Sequence, residues 1–192
     1  METGEGRLQL EGDRILFRGA FRLDIAVKDL KRAAASGEEL TLAWGGETAA
    51  FALGGAAAVK WAHKILHPPS LLDKLGIKPG QTVATEGKFD AAFMRELETR
   101  VKASRLRAGG KYDVVLRLAS TPADLAAVTL LISRLTPAGA LWIVYPKGGA
   151  VIKETQVRQA GLSAGLVDNK TCAFSAVLTA LRWVRPRALR SA

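Results

Sequence analysis

From residue 7 to 53 the chain alternates apolar and polar positions in short runs divided by turn residues; beyond residue 71 it changes to longer apolar runs linked by helical spacings. Arg7-Leu-Gln-Leu and Arg14-Ile-Leu-Phe-Arg flank the turn Glu11-Gly-Asp. In the next run Phe21, Leu23, Ile25 and Val27 share one face and Arg22, Asp24 and Ala26 the other, the period of a half-buried antiparallel strand. Leu40, Leu42 and Trp44 repeat that period, and Gly45-Gly46 turns the chain back toward Phe51 and Leu53, which predicts a hairpin. The spacing then becomes helical over 57–66, where Ala58, Trp61, Ala62 and Ile65 form a stripe that Pro68-Pro69 terminates.

The second half reads as alternating strands and helices. A short strand is predicted over 81–85, then one long helix over 89–107 from the four-residue spacing of Phe89, Phe93, Leu97 and Val101. A buried strand over 112–119 leads to Ser120-Thr121, where either hydroxyl suits a helix cap ahead of Pro122 and Asp124. A helix over 125–135 and an apolar strand over 140–145 complete a parallel crossover. A third helix over 153–160 precedes two strands, 167–174 and 177–184, expected to pair as a hairpin.

These elements give an α+β chain: an antiparallel sandwich with a helix at its end over 1–67, a Pro-containing linker at 68–72, a three-layer α/β domain over 73–187 and a basic tail at 188–192. Lys74-Leu-Gly-Ile-Lys-Pro-Gly, the strand ending in Tyr145-Pro-Lys, and Ala164-Gly-Leu-Val-Asp-Asn-Lys-Thr-Cys-Ala followed by Leu181-Arg-Trp-Val-Arg are similar to a family of small bacterial proteins of unknown function. The likeness covers residues 71–187. It implies a truncated Rossmann-like domain of the class I methyltransferase type, with no activity to carry over. The N-terminal half resembles a miniature pleckstrin-homology or GRAM-type sandwich, at the level of fold alone.

Composition narrows the function classes. The chain has 192 residues, 48% of them hydrophobic and 24% charged, the balance of a globular protein. A single cysteine, Cys172, excludes an intrachain disulfide and the usual cysteine-based zinc sites, so the cytoplasm is the expected compartment. The acidic start lacks the pattern of an export signal, and no apolar run is long enough to span a bilayer, so no membrane partner is expected. The net charge of +10 is unevenly placed: residues 1–72 hold nine basic and nine acidic side chains, and residues 73–192 hold 19 and nine. Arg95, Lys102 and Arg105 on the predicted long helix, with Arg185, Arg187 and Arg190 near the C-terminus, form a candidate surface for an anion or nucleic acid.

Candidate chemistry gathers at the strand ends. Doubly wound sheets bind ligands at the carboxyl edge, where Thr85, Gly87, Lys88, Ser120, Thr121, Tyr145, Lys147, Gly148 and Gly149 offer hydroxyls, amides and ammonium groups to an anion. Methyl transfer would need a glycine-rich turn and an acidic residue at the tip of a second strand. Here the turn is Thr85-Glu-Gly-Lys, and the long helix leaves little room for further strands. His63 and His67 stand one helical turn apart without a third ligand, and Gly161-Leu-Ser-Ala-Gly leaves a helix where a nucleophile elbow would enter one. Cys172 reads as a small core residue. No catalytic residue, metal or cofactor is assigned. The expectation is a binding or adaptor protein without catalysis that docks a protein or a small anion at the strand tips. The alternatives are a divergent S-adenosylmethionine-dependent methyltransferase and a nucleic-acid-associated protein using the basic second domain.

Overall fold

A computed structural model describes residues 3–189. The chain divides into two compact units, Met1–Pro69 and Ser70–Ala192. In the first, β1 (Gly6–Glu11), β2 (Arg14–Gly19) and β3 (Arg22–Ala26) form one antiparallel sheet, and β4 (Leu30–Ser36), β5 (Glu39–Trp44) and β6 (Glu47–Ala52) form another. Helix α1 (Gly55–Leu66) follows. The inward positions of the alternating strands, Ile15, Phe17, Ile25, Leu40, Leu42 and Phe51, meet Ala58, Ala62 and Ile65 of α1 in one core. Strand β4, Leu-Lys-Arg-Ala-Ala-Ala-Ser, carries no pattern that alternation reveals, because alanine fills both kinds of position; pairing with β5 makes it a strand.

The second unit is built on a six-stranded mixed sheet of order β11-β12-β10-β9-β7-β8. Its members are β7 (Val83–Glu86), β8 (Ala103–Arg105), β9 (Tyr112–Leu118), β10 (Leu135–Pro146), β11 (Val167–Ala173) and β12 (Leu178–Val184). Strands β7, β8, β9 and β10 pair in parallel, while β12 lies antiparallel between β10 and β11. Ala84, Val115, Leu141, Ile143, Leu181 and Trp183 are buried on one face. There they meet a 3-10 helix at Pro122–Ala127, α4 (Val128–Ile132) and α5 (Glu154–Ser163). The opposite face buries Val83, Val114, Leu116, Trp142 and Val144 against α2 (Leu71–Leu75) and α3 (Ala91–Arg100). The Trp142 indole donates to the Leu75 carbonyl at 3.0 Å, fixing α2 to the sheet. Among the described residues no helix is long and apolar enough to cross a membrane.

Two sequence expectations are corrected. The long helix over 89–107 ends at Arg100, and Val101, although buried at the next four-residue step, is extended (φ −142°, ψ 158°). The chain then forms β8, a three-residue edge strand in register with β7, with Ala103 opposite Val83 and Arg105 opposite Thr85. The sheet thus has one strand beyond β7 where none was expected. The predicted helix over 125–135 also shortens: its start is 3-10, α4 ends at Ile132, and Leu135 already pairs with Tyr112 in the sheet.

Candidate functional site

From β7 the chain moves outward to β8 and returns on the other side as β9, so the switch point of the sheet lies between β7 and β9, where open α/β sheets hold ligands. Here side chains of the protein cross that crevice. Glu86 ends β7, Arg117 lies on β9, and Asp124 sits in the 3-10 helix after it. The Arg117 guanidinium donates to Glu86 and Asp124 at 3.0 Å each, with only 12% of its side chain exposed. Two carboxylates around one guanidinium leave a formal charge of −1, and Glu86 Oε2 is buried without a hydrogen-bond partner among the described residues. Gly87 follows with φ +100°, and a Cβ there would fall 2.8 Å from Leu118 Cβ. This glycine therefore permits close approach of its own neighbouring strand.

The helix starts at this edge are likewise occupied. Asp90 accepts from the Ala92 and Phe93 amides at the start of α3. Asp124 Oδ2 accepts from the Ser120 amide at 2.9 Å and from the Thr121 amide and hydroxyl at 2.8 and 3.1 Å. These bonds, led by the Thr121 amide and then the Ser120 amide, outweigh partial burial and lower the Asp124 pKa; Arg117 contributes less. Ser120 and Thr121 thus serve an internal cap, and Thr85 is buried. Lys88 is exposed.

At the tip of β10 the arrangement differs. Tyr145, Lys147, Gly148 and Gly149 come together in a cleft of about 440 Å³, with Pro146, Ile152, Glu154 and Thr179. Lys147 Nζ donates to the Ser175 and Ala176 carbonyls at 2.7 and 3.2 Å, tying the loop to the β11–β12 turn. Gly148 and Gly149 are both left-handed (φ +83° and +71°), so this loop requires glycine. Tyr145 is 2% exposed, and its hydroxyl has no hydrogen-bond partner among the described residues. Burial raises its pKa; nearby Glu154 adds to the rise and Arg158 opposes it.

No protein-family model and no curated protein matches this chain. The structural likeness is to methyltransferases. A magnesium protoporphyrin IX methyltransferase from Synechocystis PCC 6803, solved with S-adenosylmethionine bound, aligns at 16% identity over 68% of this chain and 77% of its own, with a TM-score of 0.41. A ribosomal-protein methylase from Lactobacillus delbrueckii subsp. bulgaricus aligns at 13% identity over 68% and 80%, TM-score 0.43. The fibrillarin pre-rRNA processing protein of Methanococcus jannaschii aligns at 10% over 95% and 99%, also at 0.43. These are distant likenesses of chain path.

The residues at the switch point do not fit the dinucleotide-type cradle, which needs an open glycine turn and an acidic group at the neighbouring strand tip. The turn glycine is pressed on Leu118, and the β8 tip reads Arg105-Leu-Arg107. The basic residues are redistributed too. Arg95 is exposed on α3, but Lys102 and Arg105 lie beyond its end, so the three do not share a helix face. Arg185 donates to the Thr136, Ile132 and Leu135 carbonyls, capping the end of α4; Arg187 begins a short 3-10 turn, and Arg190 lies outside the described residues. The His63 and His67 rings stand 4.6 Å apart, and no group of three metal-ligating side chains occurs among the described residues. Gly161 is inside α5, and Cys172 is buried with its thiol pKa raised by that burial.

The triad was missed because Glu86, Arg117 and Asp124 are spread over 39 positions. One signal was present: Arg117 interrupts the apolar run Val114-Val-Leu-Arg-Leu-Ala, and a charge in such a strand requires a partner.

Proposed function

We propose that this chain is a binding or adaptor protein without catalytic activity, docking a protein partner or a small anion at the carboxyl edge of its second unit. The observation that carries this reading is the Glu86–Arg117–Asp124 bridge across the switch point. Where a nucleotide cofactor would need open backbone and hydroxyl-binding acid, the switch point holds a glycine pressed on Leu118 and an arginine paired with Glu86 and Asp124. Isothermal titration with S-adenosylmethionine tests the reading: no saturable heat is expected, and uptake with a Kd of about 10 μM or tighter, roughly −7 kcal/mol, overturns it in favour of a divergent methyltransferase.

On the same reading the first unit is a miniature sandwich of the pleckstrin-homology or GRAM type, used for packing or protein contact. The turn between β1 and β2 carries Glu11 and Asp13 with Arg14, which suits neither a phosphoinositide nor a membrane surface. The compartment is the cytoplasm.

A second reading has its own observation. Arg95, Lys102, Arg105 and Arg107 are exposed around the α3–β8 segment and have no ion pair among the described residues. That leaves them open to phosphates of nucleic acid. Binding of an oligonucleotide that falls steeply between low and physiological salt supports this reading, and indifference to salt rejects it.

A further inference from the structure

We infer that the cleft at the tip of β10 is a binding site for a small carboxylic acid bearing an amino or hydroxyl group beside its carboxylate, held between Tyr145, the Gly148-Gly149 loop and Glu154. The inference rests on the proposed binding role and gives it a location and a ligand class. Among the three tips of the carboxyl edge, those after β7 and β9 have their helix starts closed by Asp90 and Asp124. Helix α5, ten residues long, begins at Glu154, but no carboxylate accepts from its first amides: Gln156 accepts from the Lys153 amide, which leaves the Glu154 and Thr155 amides without acceptors among the described residues. The Gly148, Ala150 and Val151 amides likewise lack acceptors among those residues. Such amides suit an oxyanion.

The independent observation is Tyr145. A hydroxyl buried with no partner costs free energy unless a ligand satisfies it, and this one belongs to a side chain lining the same cleft. Ile152, fully buried, contributes apolar wall. The charges in and behind the cleft then limit the ligand. Lys147 brings one positive charge and Glu154 one negative; Arg158, bonded to Glu154 at 2.8 Å, is also paired with Asp168. The sum is zero. A bare polyanion gains little from such a field, whereas a carboxylate with a neighbouring donor places its oxygens on the amides and its donor on Glu154.

The test uses the full chain, with amide chemical shifts read by NMR while glycine, lactate, acetate and inorganic phosphate are added separately to about 10 mM, enough to reveal millimolar affinity. Glycine or lactate is expected to shift the amides of residues 148–155 saturably, about tenfold more tightly than acetate or phosphate, the worth of one good hydrogen bond. Tyr145→Phe is expected to weaken that binding about five- to tenfold. It should leave the ligand-free melting temperature unchanged or raised, because it removes an unpartnered hydroxyl. A lowered melting temperature with unaltered binding makes Tyr145 structural and overturns the assignment. Acetate or phosphate binding as tightly as glycine and lactate overturns the ligand class. Shifts confined to Lys88, Ser120 or Thr121 overturn the cleft while preserving anion binding at the edge. No shift with any probe overturns the site, and the titration with S-adenosylmethionine judges the broader reading separately.

Discussion

Two residues show how little freedom single positions have in the second unit. Gly161 lies in α5 directly on the Trp183 ring, and a Cβ there would stand 2.4 Å from Cζ3 of an indole that is itself fully buried. Neither the helix backbone nor the ring has room to yield, so Gly161→Ala should destabilise by about 1–3 kcal/mol despite alanine's better helix propensity, measured by urea unfolding. Arg117 makes the second case. Removing its charge leaves Glu86 and Asp124 as unneutralised carboxylates, each about one-third exposed (32% and 31%). Arg117→Gln should therefore cost about 2–3 kcal/mol at neutral pH, below the ~3–5 of a fully buried pair. Urea unfolding at pH 7 measures this deficit.

Elements expose where sequence pattern and tertiary structure part company. Asp113, at the start of β9, accepts from the Thr82 amide and hydroxyl at 2.9 Å each and from the Thr136 hydroxyl at 3.1 Å, joining the entries of β7, β9 and β10. The Thr82 amide is the largest cause of its lowered pKa; burial opposes it, and the two hydroxyls add to the lowering. The sign follows: this stabilisation is complete above the ordinary carboxylate pKa, about 4, and is lost as pH falls through the lower folded value. Asp113→Asn should be less stable than the parent at pH 7, and the two urea midpoints should converge as pH drops below 4. None of those three hydrogen bonds is visible as a sequence pattern. What was legible were elements whose inward face is large and apolar, such as β2, β5, β9 and the core of β10, and α1, whose Ala58, Ala62 and Ile65 keep a helical spacing up to Pro68. Strand β4 was lost because alanine serves either period, and β8 because Val101 extends the four-residue spacing of α3 after the backbone has left the helix. Of the candidate site, the Tyr145–Gly149 loop could be read from a strand followed by two glycines, while the switch-point bridge could not, since no spacing rule relates Glu86, Arg117 and Asp124.

For the whole molecule, charge and division coincide. Each unit has its own hydrophobic core, and the boundary falls at Pro69, after a segment where neither proline can donate a backbone hydrogen bond. Residues 1–69 hold nine basic and nine acidic side chains, and residues 70–192 hold 19 and nine, so the +10 belongs to the second unit alone. Much of that excess is committed within the fold: Arg100 to Asp73, Arg117 to the switch point, Arg158 to Glu154 and Asp168, and Lys111, Lys147, Lys170 and Arg185 to backbone carbonyls. Of the basic side chains that face solvent without an ion pair among the described residues, Arg95, Lys102, Arg105 and Arg107 lie around α3 and β8, while Lys74, Lys78, Lys88, Lys153 and Arg187 lie elsewhere on the second unit. A fragment of residues 70–192 should therefore keep the heparin retention of the full chain, and a fragment of residues 1–69 should pass through unretained. Replacing Arg95, Lys102, Arg105 and Arg107 together by glutamine should elute the full chain at markedly lower salt, since a polyanion is bound by the charges it can reach. Were retention to survive that fourfold change, the reachable charge would lie elsewhere on the second unit, and the nucleic-acid reading would lose the observation that supports it.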